Sequence, residues 1–267
     1  MAAAGWERQA AILRDGTREL DERLVALLDP APGETVLELA AGPGDTGFLV
    51  AERLGPKGLL LSTDFAPEMV AAGRRRAVEL GVENVEFRVE DASAIDLPAD
   101  STDGVICRFG VMLVPDPARA LSEIARVLRP EGRAVIAVWA SSDANDWMTA
   151  AGRSALELGL GERPDPNAPG PFRLADPDEL RRLVTDAGLR VGTLEEAPVL
   201  WRAASLDEWW QTAQDLSRML TTLLERSTPD ERKAIRAGAE RQLENYVRDD
   251  GSLEVPGLAR VLLARPS

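Results

Sequence analysis

The chain has 267 residues, enough for one full α/β domain with an insertion and short for two independent enzymes. Hydrophobic residues make up 45%, which supports a sizeable core, and a formal net charge of −14 repels nucleic acid unless a basic stripe intervenes. With no histidine the commonest general base is missing, and the single cysteine, Cys107, permits neither an intramolecular disulfide nor a cysteine-based metal site.

The first residues meet charge at Glu7 and Arg8, too early for a signal peptide, and no apolar run reaches membrane-spanning length. A cytoplasmic protein without a membrane segment is expected. Residues 6–29 read as one or two amphipathic helices, with Leu20, Leu24, Leu27 and Leu28 at helical spacing. Pro30 to Glu34 then breaks the chain. Trp6 suits either core packing or the cover of a ligand.

The stretch Val36-Leu-Glu-Leu-Ala-Ala-Gly-Pro-Gly-Asp-Thr-Gly47 organises the rest of the chain. An apolar run with one embedded carboxylate, Glu38, ends at Gly42-Pro43-Gly44, and Phe48 to Leu54 suits a helix. Strand, tight turn and helix bring backbone close to a ligand, which glycine permits because it lacks a Cβ. Asp64 closes the next apolar run, where a carboxylate at a strand tip can hold two ribose hydroxyls. Gly42-x-Gly44-x-x-Gly47 has the spacing of a dinucleotide fingerprint. Glu38 argues for a cationic ligand instead, since a carboxylate beside a pyrophosphate would be repelled. A buried strand glutamate with a local partner is the bland alternative.

Glu38-Leu-Ala-Ala-Gly42-Pro-Gly44 resembles the first motif of class I methyltransferases, acidic-x-Gly-x-Gly-x-Gly, with Ala40 in place of the first glycine. That resemblance implies S-adenosylmethionine as cofactor, whose sulfonium and amine are both positive. It places Glu38, Ala40, Gly42 and Gly44 around the amino-acid end, Asp64 on the ribose, and Phe65 near the adenine. Met69, on the helix expected over residues 66–80, suits the core better.

Val85 to Val89 alternates like a strand. In the resembling family Asp91 faces the adenine amino group and the Ala92 N–H faces a ring nitrogen; a carboxylate accepts what an amino group donates. A turn aspartate is the competing reading. Gly104 to Phe109 reads as a buried strand, Ala118 to Leu128 as a helix, Arg129 to Gly132 as a turn, and Ala134 to Trp139 as the fifth strand. This passage is similar to methyltransferases of ubiquinone and menaquinone biosynthesis. The end of the fourth strand, Arg108-Phe109-Gly110, should lie beside the reacting methyl, since open α/β sheets bind ligands at strand carboxyl ends.

Residues 143–160 suggest another helix, with Asp143 and Asp146 as its caps rather than metal ligands, and no metal is expected. A proline-rich loop follows at 164–171. Asp176-Pro-Asp-Glu179 opens a helix, and 189–200 contains a sixth strand. Ser205-Leu-Asp-Glu208 and Thr228-Pro-Asp-Glu231 read as capping boxes opening helices at about 206–226 and 229–248. Val255 to Ala264 supplies the last strand. Arg74 to Arg76 and Arg181-Arg182 read as solvated helix faces.

The expected fold is a Rossmann-like class I methyltransferase sheet of seven mostly parallel strands with helices on both faces. Its parts are an N-terminal helical cap over 1–32, a cofactor-binding core over 33–200, a helical insertion over 201–250 and a final strand in 251–267. The insertion serves as a lid over the acceptor or as a homodimer interface. The expected partner is a small, apolar molecule, with carbon, nitrogen, sulfur or oxygen as acceptor and Asp, Glu or Tyr246 as base where oxygen needs one. The alternatives are an NAD-dependent oxidoreductase and a non-catalytic S-adenosylmethionine-binding or partner-binding protein.

Overall fold

The computed structural model describes residues 3–267, with side chains at Gln9 and from Ile12 onward, so the Trp6 side chain lies outside the described residues. The chain divides into two compact units. One holds Glu19–Ala140, Pro166–Ala197 and Ala259–Ser267; the other holds the chain up to Arg18, Ser141–Asp165 and Pro198–Leu258.

The first of these carries the sheet. Strands β1 (Thr35–Leu39), β2 (Leu59–Asp64), β3 (Val85–Val89), β4 (Thr102–Arg108), β5 (Leu128–Trp139), β6 (Leu189–Ala203) and β7 (Leu253–Pro266) lie in the order β3-β2-β1-β4-β5-β7-β6. The first five run parallel, and β7 pairs antiparallel with β5. Central strands such as β1 and β4 are buried almost throughout, as parallel strands covered on both faces must be. The chain steps outward from β1 to β3, then returns to place β4 beside β1. That reversal creates a crevice at the carboxyl ends of β1 and β4, where such sheets receive ligands.

Helix α1 (Ala3–Leu28) is the single N-terminal helix, followed by α2 (Asp45–Leu54), α3 (Pro67–Leu80) and α4 (Pro117–Val127) between the parallel strands. Asp116 caps α4 by accepting from the Arg119 N–H, and Ala120, Leu121, Ile124 and Val127 form its buried face. The turn expected at 129–132 is instead part of β5. Thr102 pairs with Leu128 and Gly104 with Arg133, so the extra residues form a bulge within the ladder. Arg133 holds the far side of that bulge, donating to the Leu28, Asp29 and Asp103 carbonyls and to Glu34.

In the second unit, α5 (Asp146–Glu157) and α9 (Pro229–Leu243) pack closely. A Cβ at Gly238 would lie 2.1 Å from Ser154 Oγ, which donates to the Ile235 carbonyl. Trp147 and Trp201 stack at 4.2 Å, and the Trp209 indole N–H donates to the Trp147 carbonyl. Helix α6 (Pro177–Asp186), in the sheet unit, starts on Asp176 as expected.

The region 206–226 is two helices rather than one. α7 (Leu206–Leu216) and α8 (Arg218–Arg226) break at Ser217, whose hydroxyl accepts from the Leu220 N–H and restarts the chain as an N-cap. α9 stops before 248, tightening into a 3-10 turn at Glu244–Tyr246 as Val247 pairs with Leu253. Of the two capping boxes, Thr228 with Glu231 is reciprocal. At Ser205, Glu208 reaches back to the Ala204 N–H instead. Thr228→Ala should therefore lower stability by about 1 kcal/mol, read from the urea midpoint; no change would show that the box contributes nothing.

No helix among the described residues is long and apolar enough to cross a membrane.

Candidate functional site

After β1 the backbone enters the left-handed region three times in five residues, at Ala40 (φ 52°), Gly42 (φ 56°) and Gly44 (φ 87°). Ala40 is the non-glycine of the three, and that conformation costs an L-residue about 1–2 kcal/mol. Its methyl has a counterpart across the crevice: a Cβ on Gly110, just past β4, would lie 2.5 Å from Ala40 Cβ and 2.8 Å from Cys107 Sγ. Ala40 and Gly110 thus form a matched pair, one side chain where two would collide. Gly44 caps α2, and a Cβ there would strike the Phe48 ring at 2.6 Å.

Asp64, at the tip of β2, holds this turn. Its Oδ2 accepts from the Gly42 N–H at 2.9 Å and its Oδ1 from the Ala66 N–H at 2.9 Å. Each oxygen keeps a second lone pair. Phe65 follows, 76% exposed, an apolar ring left open at a strand end. Met69 is half-buried on α3.

Glu38 lies on β1 and is 2% exposed. Ser62 Oγ donates to its Oε2 at 3.1 Å, and the Gly47 N–H also donates to the carboxyl. Burial pushes its pKa up to about 8, against the opposing pull of Ser62, the Arg108 charge and the Gly47 amide. Gly47 has to be glycine, since a Cβ there would fall 2.0 Å from Glu38 Oε2.

Asp91 is exposed, and its Oδ1 accepts from the Ser93 N–H at 2.8 Å, a turn of the kind aspartate favours. Ala92 beside it is half-buried. Glu90 links the tips of β2 and β3, its N–H donating to the Asp64 carbonyl. Arg108 ends β4 inside a charged cluster. It pairs with Asp21 at 3.2 Å and lies 3.8 Å from Asp45, which also pairs with Arg76. Thr46 Oγ1 donates to Asp21 Oδ1 at 2.7 Å. Asp21 and Thr46 are both buried.

The structure therefore gathers Glu38, Ala40, Gly42, Gly44, Asp64 and Arg108 around the β1 and β4 ends, with Phe65 on the adjoining β2 tip. Asp91 and Ala92 follow β3, two strands from β1. Sequence reasoning missed Asp21, Asp45, the close packing of Ala40 against Gly110 and the part played by Ser62. A signal for Asp21 existed: Thr17, Asp21, Leu24 and Leu28 recur at helical spacing, so the carboxylate sits on the buried stripe of α1.

Phe109, with φ 59°, stacks on Trp139 at 3.9 Å and 10° between planes, an aromatic surface at the ends of β4 and β5. Cys107 is buried and its thiol is pushed up to about 12, so it stays protonated. In the helical unit, Asp146 does not cap α5. Its carboxylate takes Arg153 at 2.6 Å, two turns on in α5, and the Tyr246 hydroxyl at 2.8 Å, brought from 100 residues away by the turn after α9. The hydrogen bond to Asp146 raises the Tyr246 pKa and keeps the phenol protonated, unavailable to accept a proton. Among the described residues no group of three or more His, Cys, Asp or Glu side chains could hold a metal ion.

Residues 30–188 match the family described as a methyltransferase domain. An arsenite methyltransferase of Halobacterium salinarum is 40% identical over 106 residues, which are 40% of this chain and 27% of that protein. A demethylmenaquinone methyltransferase of Thermus thermophilus is 40% identical over 109 residues, 41% of this chain and 48% of that protein. The crystal structure of a SAM-dependent methyltransferase from Aquifex aeolicus aligns with a TM-score of 0.51 at 25% identity, over 65% of this chain and 81% of that one. The chain thus matches about a quarter to a half of the length of these curated relatives.

Proposed function

Since this chain belongs to the methyltransferase-domain family, we propose that it binds S-adenosylmethionine at the carboxyl ends of β1, β2 and β4 and transfers its methyl to a small, apolar acceptor. The observation that carries this reading is the glycine turn flanked by Glu38 and Asp64. Asp64 there suits a ribose diol, and Glu38 beside the turn suits the positive amine of S-adenosylmethionine rather than a pyrophosphate. The family match supports methyl transfer and gives the NAD-dependent alternative no support.

The residues fit that cofactor. A Cβ on Gly42 would meet nothing within 4 Å, so the turn leaves open space where a ligand can approach backbone. The exposed ring of Phe65 offers a face for a flat base, and the spare lone pairs of Asp64 can accept from ribose hydroxyls. Asp91 keeps one carboxylate oxygen outside its turn and can accept from an amino group. Glu38 and Arg108 supply opposite charges for the amine and the carboxylate of the amino-acid end.

The bound cofactor supplies a methyl already activated on a sulfonium sulfur. The protein then has to orient the acceptor and keep water out. No histidine is present, and both the Cys107 thiol and the Tyr246 phenol are held protonated. An acceptor that attacks without early loss of a proton suits such a site. The Phe109–Trp139 stack favours an apolar acceptor, and the net charge of −14 favours a small molecule over nucleic acid.

Asp64→Ala should weaken S-adenosylhomocysteine binding by about 1.5–3 kcal/mol, the worth of hydrogen bonds to a charged group. Calorimetry measures this directly, with NADH as the comparison ligand. Unchanged affinity would remove Asp64 from the site, and preference for NADH would overturn the cofactor assignment.

A further inference from the structure

Helices α7, α8 and α9 line an open cleft of about 540 Å³ within the helical unit. Its wall carries Trp210 and Gln214 from α7, Thr221, Leu224 and Glu225 from α8, and Arg232, Lys233 and Arg236 from α9. That volume lies in the range of small-molecule pockets. In a chain of net charge −14, three cations and one carboxylate line this cleft.

The cations differ in what they already hold. Arg236 is engaged by Asp207 and Glu240. Arg232 donates to the Ser227 and Glu225 carbonyls, which satisfies part of its fork but leaves its charge uncompensated. Lys233 is exposed and, among the described residues, has no hydrogen-bond or ion-pair partner. The Trp210 indole N–H is likewise without a partner there. Gln214 and Thr221 turn their donors onto the Trp210 and Ser217 carbonyls. The groups left to meet a ligand are thus donors, an ammonium and an indole N–H, beside the apolar faces of Trp210 and Leu224.

We infer that this cleft is a second ligand site, one that takes a small aromatic monoanion, with its ring against Trp210 and Leu224 and its charge on Lys233. Arg232 adds to the attraction from the preceding residue, and Glu225 across the cleft disfavours a dianion. This site does not depend on the methyl-transfer reading and would stand if that reading failed.

The lysines provide the test, because Lys57 and Lys233 are the two in the chain. The full chain is titrated calorimetrically with 2-naphthoate and, separately, with uncharged 2-naphthylmethanol. Saturable binding of the naphthoate is expected, weakened about tenfold or more both by Lys233→Gln and by loss of the probe's charge. Under saturating naphthoate, amine acetylation read by mass spectrometry should slow at Lys233 and proceed unchanged at Lys57. Lys233 is exposed, so the variant keeps its fold. Absence of saturable binding, equal affinity in Lys233→Gln, equal affinity for the alcohol, or equal protection of Lys57 would each overturn the site.

Discussion

Gly47→Ala should destabilise the protein by about 3 kcal/mol, the upper range for overpacking a buried position. Helix propensity alone predicts the opposite sign, since alanine in a helix interior is worth about 1 kcal/mol more than glycine. Gly47 lies in α2, but its missing side chain is the space in which the Glu38 carboxyl rests; a Cβ there would lie 2.0 Å from Oε2 and 2.6 Å from Cδ. Glu38 is fully enclosed and cannot swing aside without leaving Ser62 and the Gly47 amide. A buried polar group stripped of its partners costs about 1–3 kcal/mol. The double variant with Glu38→Ala isolates the collision. With the carboxyl gone, the penalty of Gly47→Ala should shrink by about 2 kcal/mol in a mutant cycle. A neutral or stabilising Gly47→Ala in urea denaturation would show that the two residues do not press on one another.

The second large effect is a dependence on pH governed by Glu38. Its pKa is raised from an ordinary 4.5 to about 8, chiefly by burial. The folded state therefore binds a proton that the unfolded state has released between those values. Stability from this group is fully present below about pH 4.5 and is lost as pH rises through 8, a total on the order of 4 kcal/mol. Ser62 on β2, the Gly47 amide on α2, Arg108 on β4 and Asp21 on α1 all act on that carboxyl. Of these, Arg108, Ser62 and the amide favour the anion, and Asp21 opposes it.

Under the proposed function the cofactor amine takes the anion, so ligand binding and proton release are coupled. Affinity for S-adenosylhomocysteine should then rise about tenfold per pH unit between 6 and 8 and level off above. Calorimetry in buffers of different ionisation enthalpy should count about one proton released near pH 7. Glu38→Gln should flatten both the stability profile and the binding profile. Persistence of the wild-type slopes in that variant would assign them to another group.

Much of the sheet is legible from residue order alone. Apolar runs mark β1, β2, β4 and β5, because a strand covered on both faces needs only apolar side chains, and alternation marks the partly exposed β3. The glycine turn and Asp64 are each legible as a short contiguous signal, although the hydrogen bond that joins them, from the Gly42 N–H to Asp64, spans 22 residues. The helix starts at Asp176 and Thr228 are legible through side chains that serve amides two or three positions on. Where local signals misled, another local group competed. Ser217 caps a new helix inside an apolar stripe, and the Leu253 pairing draws Val247 away from α9.

The third glycine of Gly42-x-Gly44-x-x-Gly47 shows how one pattern can have two causes. By spacing it suggests a dinucleotide turn; in the fold it makes room for Glu38. Glu38 itself has the Ser62 partner of a buried strand glutamate, and its carboxyl also takes the Gly47 amide.

By itself, then, the amino-acid order determined the α/β class, the position of the glycine turn and the acids at 38 and 64, since each is written in contiguous residues. Only the tertiary structure decided that Arg108 meets Asp21, 87 residues away, that Ala40 requires glycine at 110, and that Glu38 is buried deeply enough to hold a proton. Those are consequences of distance and desolvation between elements far apart in the chain, and periodicity along the chain carries neither.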